Sequence, residues 1–306
     1  MATIREIKRR IRSVRNIAQV TRALEAVSAS KVRKAQAQVL ATRPYAQQAW
    51  EVLTSLAQQA GAGESIHPLL ADRPVKNVAL IVVSGDRGLC GAYNVNIIRR
   101  VLEFVRDQRA PVQMITVGKK GRELLMRAGR KIVAEFSNLP AAPTSLEIAP
   151  ISRIAVDDFL TGKVDEVYVA HTDFLNTIQQ RPSIRRVLPL KVEEREQQVV
   201  SELTAGAQAG RLARREYLYE PSRLALLDSV IPRFIEMQVY QAVLESLASE
   251  HSARMVAMRN ATDSAKTLVG ELTLTYNKAR QQSITSELLD IAGGAEALKQ
   301  VLSRAA

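Results

Sequence analysis

Three glycines at intervals of three, Gly85, Gly88 and Gly91, sit in the stretch SGDRGLCGAYN (84–94), directly behind the apolar run VALIVV (78–83). A glycine turn between a buried strand and a helix is a design that cradles phosphate: backbone N–H groups approach the anion and the helix N-terminus favours negative charge. The spacing here is G-x-x-G-x-x-G, not the dinucleotide G-x-G-x-x-G, and no Gly-Lys-Ser/Thr of a P-loop occurs. The next β-rich run ends in TVGKKG (116–121), lacking the acidic residue that would hold a ribose. The turn therefore reads as structural, with glycines that permit close packing and positive φ. No cofactor and no direct small-molecule substrate are expected.

Other chemistry-bearing residues are scattered. Cys90 precedes a predicted helix, where the dipole could lower a thiol pKa, but no base-carrying motif surrounds it. His67, His171 and His251 are far apart and none has metal-ligand spacing, so each reads as a surface or packing histidine. Asp157-Asp158 and VEERE (192–196) read as solvated helix faces rather than paired acids. No catalytic or metal-binding cluster emerges. With a single cysteine an internal disulfide is impossible, which suits a reducing compartment.

Charge is uneven along the chain. Net charge is +12; residues 1–43 carry eleven Arg and Lys against two Glu, whereas 211–306 hold twelve basic and eleven acidic residues. Such an arm suits nucleic acid, anionic lipid or an acidic protein surface, or is the solvated face of a long helix. Nucleic acid is disfavoured, because the arm lacks interleaved aromatics and any known module motif. No apolar run approaches the ~18 residues of a membrane span.

Two kinds of element must position these residues. The first sixty residues contain no glycine and one proline, Pro44, and carry apolar residues at Ile4, Ile7, Ile11 and Val14, then Ile17, Val20, Leu24 and Val27. That near-heptad stripe, with a register shift near residue 17, predicts one helix over about 3–58. Thr3 and Glu6 fit a capping box at its start. A similar period runs from Leu224 through Met258, Leu272 and Tyr276 to Ile291, predicting a second long helix after Pro221. Between them, β-rich runs at 77–83, 112–117, 131–136, 166–171 and 183–190 alternate with helical runs at 94–108, 120–129 and 147–160, which implies a mainly parallel sheet. At ~1.5 Å per residue the terminal helices reach roughly 80 and 110 Å, against a radius of gyration near ~14 Å for a domain of that central size. They most simply bury their stripes on each other. The expected fold is α/β: a long antiparallel coiled coil of the two terminal helices plus a central Rossmann-like domain. The boundaries are 1–60 for the first helix, 61–75 for a linker, 76–190 for the α/β domain, 191–216 for a connecting segment and 217–306 for the last helix.

Several blocks carry a resemblance. ITSELLDIAGGAEA (284–297), through Ile284, Thr285, Glu287, Asp290, Gly294, Ala295 and Ala297, resembles the C-terminal signature of the gamma subunit of F-type ATP synthases. VTRALEAVSASKVRKAQ (20–36), SGDRGLCGAYNVN (84–96), YLYEP (217–221) and ASEHSARMVAMRNATD (248–263) are similar to the same family in the same order. The resemblance covers nearly the whole chain. It implies a central rotor shaft that catalyses nothing itself, turning within a ring of alpha and beta subunits and standing on the membrane c-ring, with proton or sodium flow as the drive. Two other readings stand on the residues alone: a nucleotide-binding α/β enzyme and a basic coiled-coil nucleic-acid-binding protein.

The resemblance also implies contacts. Arg22, Leu24 and Glu25 fall in the N-terminal segment that meets the stator, and Arg254, Arg280, Gln281, Thr285 and Glu287 in the C-terminal one. Tyr217, Tyr219 and Glu220 would meet the c-ring and the epsilon subunit. The apolar tip beyond Ile284 would turn in an apolar sleeve. Two departures stand out: KQVLSRAA (299–306) continues past the family's usual end, and Cys90 alone rules out the inserted cysteine pair of photosynthetic relatives. The arm is Arg-rich like a mitochondrial presequence, but the resemblance begins within its first residues. The expected location is the cytoplasmic face of a bacterial inner membrane, as a peripheral subunit.

Overall fold

The computed structural model describes residues 3–58, 67–190 and 223–305. The first helix, α1, spans Ile4–Gln58. Its start is the expected capping box: Glu6 N–H donates to Thr3 Oγ1 at 3.3 Å, and Thr3 N–H to Glu6 Oε2 at 2.9 Å. After a short 3-10 turn at Pro68–Leu70 come β1 (Val78–Val83), α2 (Tyr93–Asp107), β2 (Val112–Val117), α3 (Lys119–Arg127), β3 (Ile132–Phe136), α4 (Ser145–Leu160), β4 (Glu166–Phe174) and β5 (Gln180–Leu188). The last helix, α5, spans Arg223–Ala305.

The five strands lie in the order β3-β2-β1-β4-β5. All neighbours are parallel except β4 and β5, which pair antiparallel. Strand β1 is buried along its whole length, as befits the apolar run at the centre of a sheet covered on both faces. One face packs on α4 and α5 through Ile81, Val83, Val167, Val169, Phe159, Phe234 and Leu244. The opposite face packs on α2 and α3 through Leu80, Val82, Ile97, Val101 and Leu125.

Strands β4 and β5 run further than the apolar runs predicted. Their antiparallel ladder continues to Phe174 and Gln180, through polar Thr172, Asp173, Arg181 and Ser183. At the hairpin, Asn176 Oδ1 accepts from the N–H groups of Ile178 and Gln179 at 2.9 and 2.7 Å, which fixes the reversal. A hydropathy run could not show this, because here pairing and turn chemistry extend the strands.

The chain divides into two compact units, residues 1–27 with 255–306, and residues 28–254. The second holds the sheet and its covering helices. In the first, Thr21 Oγ1 and Thr262 Oγ1 meet at 2.7 Å across the two helices, and Ile7, Ile11, Met258 and Ala265 are buried. Val269, Leu272 and Tyr276 are half-buried beyond them. Burial at the start of α1 together with these later turns of α5 means that the two segments run antiparallel. The stripe departs from the expectation at one place. No register shift occurs near residue 17: Ala18, Thr21 and Leu24 continue the inward face, while Ile17, Val20 and Val27 are more than half exposed. A threonine at an inward position keeps its hydroxyl bonded to Ile17 O and Ala18 O, so the helix needs no shift to accommodate it. Among the described residues, no helix is long and apolar enough to cross a membrane.

Candidate functional site

The glycine turn follows the C-terminal end of β1, the edge where open α/β sheets hold their ligands. Here the chain fills that place with its own groups. Ser84 Oγ donates to Val117 O at 3.0 Å and accepts from Gly121 N–H at 2.9 Å. Gly118 has φ +101°, and a Cβ on it would lie 2.2 Å from Ser84 O, so only glycine fits between these two loops. Asp86 accepts from Lys119 N–H at 3.1 Å and from Asn138 N–H at 2.9 Å. Its carboxylate therefore caps α3, where a phosphate would otherwise find a helix N-terminus.

The second anion is Glu250, on α5. Its carboxylate lies over Gly85, whose N–H is taken by Asn94 Oδ1 at 2.9 Å. Arg254, one turn on, reaches Glu250 Oε1 at 2.5 Å and donates to Gly88 O at 3.3 Å. Tyr93 O–H donates to Ser246 O at 3.1 Å. Burial pushes the Glu250 carboxyl above the usual carboxylate range in spite of Arg254. Burial also depresses His251, with the charges of Arg254 and Lys31 adding to it, to about 4. The Cys90 thiol is buried and pushed up, the opposite of an activated nucleophile. What space remains between Ser84, Asp86, Tyr93 and Glu250 is a cavity of about 30 Å³. A ligand site needs roughly 300 Å³ or more. The turn is a docking seat for α5, not a nucleotide cradle. Its three glycines do different things: Gly85 packs against Glu250, Gly91 has φ +58°, and Gly88 has no neighbour near its Cβ position but offers its carbonyl to Arg254.

A second cluster joins His171, Asp173 and Glu245, whose donor atoms lie within 4.8 Å of one another. The types suit a metal, but both oxygens of Asp173 are already engaged: Oδ1 by His171 and by Ser183 O–H, Oδ2 by Arg181. Arg181 and Arg185 stand beside Asp173, so its carboxylate already has cationic partners and the three residues form an ion cluster. His171 and Asp173 are two apart on one strand and share a face, which the sequence did hold; Glu245, 74 residues on, is brought in only by the fold.

The contact residues named from the sequence fall in separate places. Arg22 is exposed, and Leu24 and Glu25 are half-buried on α1. Arg280, Gln281, Thr285 and Glu287 are exposed on α5; Thr285 donates back to Gln281 O at 2.9 Å, and Glu287 accepts from Ser283 at 3.3 Å. Every residue from 284 to 295 is exposed, including Ile284, Leu288, Leu289 and Ile291 at 50, 62, 67 and 70%. Antiparallel pairing explains this, since α1 has run out at that level. Arg254 differs from the others: its side chain is only 12% exposed and is turned onto Glu250 and the glycine turn. Tyr217, Tyr219 and Glu220 lie outside the described residues.

The ATP synthase family matches the chain over residues 3–298. The ATP synthase gamma chain of Dehalococcoides mccartyi is 51% identical over 298 residues, 97% of this chain and 100% of that one. The chain belongs to the ATP synthase gamma-chain family. A member from Herpetosiphon aurantiacus is 48% identical over 98% of this chain and all of its own. The fold is also that of a chain in the cryo-EM structure of the Euglena gracilis mitochondrial ATP synthase, OSCP/F1/c-ring, with TM-score 0.65 and 20% identity over 96% of this chain and 94% of that one. A gamma chain is a subunit of an enzyme complex.

Proposed function

We propose that this chain is the central-stalk rotor subunit of a proton- or sodium-translocating F-type ATP synthase, transmitting c-ring rotation to catalytic sites on the beta subunits. It catalyses nothing itself and is peripheral, at the cytoplasmic face of a bacterial inner membrane. The observation that carries the reading is family membership along essentially the whole chain, at 51% identity to a gamma chain.

The mechanism needs only unequal faces. A shaft shifts a partner's conformational equilibrium by as much as its contact free energy differs between the partner's states. Along α1, Ile17, Val20 and Val27 are exposed beside Arg22 and the other cations of the basic arm. An acidic surface on the surrounding subunits is drawn to that arm, with strength set by salt. Leu24 and Glu25 on α1, and Arg280, Gln281, Thr285 and Glu287 on α5, complete the proposed stator contacts. Beyond Ile284 the tip offers an apolar surface, whose non-directional contact leaves few strong bonds to break as the angle changes. Arg254 serves from inside, fixing α5 to the glycine turn. Tyr217, Tyr219 and Glu220 are proposed for the c-ring and epsilon contact.

The test is assembly and rotation. Purified with its own alpha and beta subunits, the chain should enter a complex with one copy on the axis of a six-membered ring, visible by electron microscopy. A labelled chain should turn on ATP addition. A chain that never joins alpha and beta would overturn the reading.

A further inference from the structure

The ring of His171, on β4, is fully buried. Its Nε2 lies 2.8 Å from Asp173 Oδ1, on the same strand, and 3.5 Å from Glu245 Oε2, on α5. Arg185, on β5, approaches Asp173 Oδ1 at 3.9 Å, and Arg181 approaches Oδ2 at 3.3 Å. By hydrogen-bond geometry neither Nδ1 nor Nε2 has a partner among the described residues, so the ring meets the two carboxylates as a close charge pair rather than through an aligned hydrogen bond. We propose that protonated His171 is a latch that ties the β4–β5 hairpin to α5 through the carboxylates of Asp173 and Glu245, and that it releases as pH rises. This does not depend on the rotor reading.

Charge balance carries the argument. With the ring neutral, two carboxylates at the core's edge are opposed by Arg185 and by Arg181, and Arg181 is 68% exposed and so screened. One proton on His171 places a positive charge between the two acids, with Nε2 2.8 and 3.5 Å from their oxygens. Burial and the lack of an aligned acceptor at either ring nitrogen oppose that proton. The close carboxylates of Asp173 and then Glu245 outweigh the burial and hold the ring above the ordinary histidine value, with Arg185 acting against them. Asp173, raised by burial, is brought down to about 2, first by its bond to His171 and then by the charges of His171 and Arg185.

The sign follows. A histidine whose folded-state pKa is raised contributes stability that is complete below its unfolded pKa, about 6.5. That stability is lost as pH rises through the higher folded value. The neighbouring ties do not titrate in this range: Ser246 Oγ accepts from Thr172 N–H at 3.0 Å, and Ser249 O–H donates to Thr172 O at 3.1 Å. Release therefore loosens the hairpin on α5 without detaching it, a graded change in how firmly the long helix is held.

The experiment uses the full chain. Long-range ¹H–¹⁵N spectra of the histidine rings, with His171 assigned by its loss in His171→Gln, give its titration. Hydrogen exchange of peptides covering 166–174 and 240–252 is followed from pH 6 to 9, corrected for intrinsic rates. The ring should be protonated at pH 6 and titrate above 6.5, and protection should fall with pH by up to about tenfold for each unit between the folded and unfolded values. Glu245→Gln, which keeps the shape of the side chain, should lower the ring's titration midpoint and flatten the protection profile. If His171→Gln does not fold, Glu245→Gln still decides, because the His171 ring is then identified as the one whose titration shifts in that variant. A ring already neutral at pH 6, or coincident profiles in wild type and Glu245→Gln, overturns the proposal.

Discussion

The carboxylate of Glu250 occupies the space that a side chain on Gly85 would need: an ideal Cβ there lies 2.9 Å from Glu250 Cδ. A flexible acid would swing aside, but this one is held by Arg254 and is 6% exposed. Gly85→Ala should therefore lower the urea midpoint by the equivalent of about 1–3 kcal/mol, the usual cost of overpacking. Gly88→Ala, with nothing near its Cβ position, should stay within about 0.5 kcal/mol of wild type. Equal effects at both sites would refute the seat.

The same geometry predicts that nucleotide does not bind the isolated chain. With only about 30 Å³ left at the sheet edge, calorimetric titration with ATP or NAD should give no saturable heat. A micromolar isotherm would show that the edge opens.

Arg254→Ala removes one partner of a buried pair whose side chains are 12 and 8% exposed. Leaving Glu250 alone should cost about 3–5 kcal/mol, and the double variant Glu250→Gln/Arg254→Met should recover much of it. The pH dependence is diagnostic. An acid whose folded pKa is raised gains protons on folding, so its contribution falls as pH rises from the unfolded value towards the folded one. Without Arg254 that fall should extend to higher pH. Denaturant midpoints at pH 5, 6 and 7 check it; parallel curves for wild type and Arg254→Ala would contradict the assignment.

How much of this was legible beforehand differs by level. The helices, the strand positions and the capping box at Thr3 and Glu6 could be read because periodicity and turn chemistry are local. The spacing of the glycines departs from the nucleotide-binding patterns, which is legible in the sequence, but the residue that packs on the turn is not. Glu250 sits 165 residues from Gly85, and no pattern in either stretch names the other. Arg254 shows the same limit: the resemblance marks the position, while its inward orientation depends on Gly88 O lying opposite. The apparent register shift near residue 17 arose from counting hydrophobicity alone. Ile17 and Val20 are apolar yet face solvent, whereas polar Thr21 faces inward because its hydroxyl is satisfied within the helix and across to Thr262.

That pairing makes a covalent test of the helix register. With the two hydroxyl oxygens 2.7 Å apart, Thr21→Cys/Thr262→Cys should form a disulfide under mild oxidation. Thr21→Cys/Lys266→Cys, displaced by one turn along an exposed face, should not. Cys90 can remain, because its buried thiol is pushed towards the unreactive form. A gel-shift assay on the reduced and oxidised chain reads the result. Cross-linking in both variants would mean that the helices slide.

The bare end of α5 gives the sharpest separation between folding and assembly. Leu288 and Ile291 are 62 and 70% exposed, so replacing both with Asp removes little buried area and should leave the thermal transition of the isolated chain nearly unchanged. If this surface is covered by surrounding subunits, the same change places two charges in an apolar sleeve, where an unpaired charge is costly. Co-purification with alpha and beta should then drop, or ATP hydrolysis should proceed uncoupled from ion flow. Full assembly with normal coupling in Leu288→Asp/Ile291→Asp would mean that the exposed tip meets solvent throughout the cycle, and that the contact surface lies elsewhere on the two helices.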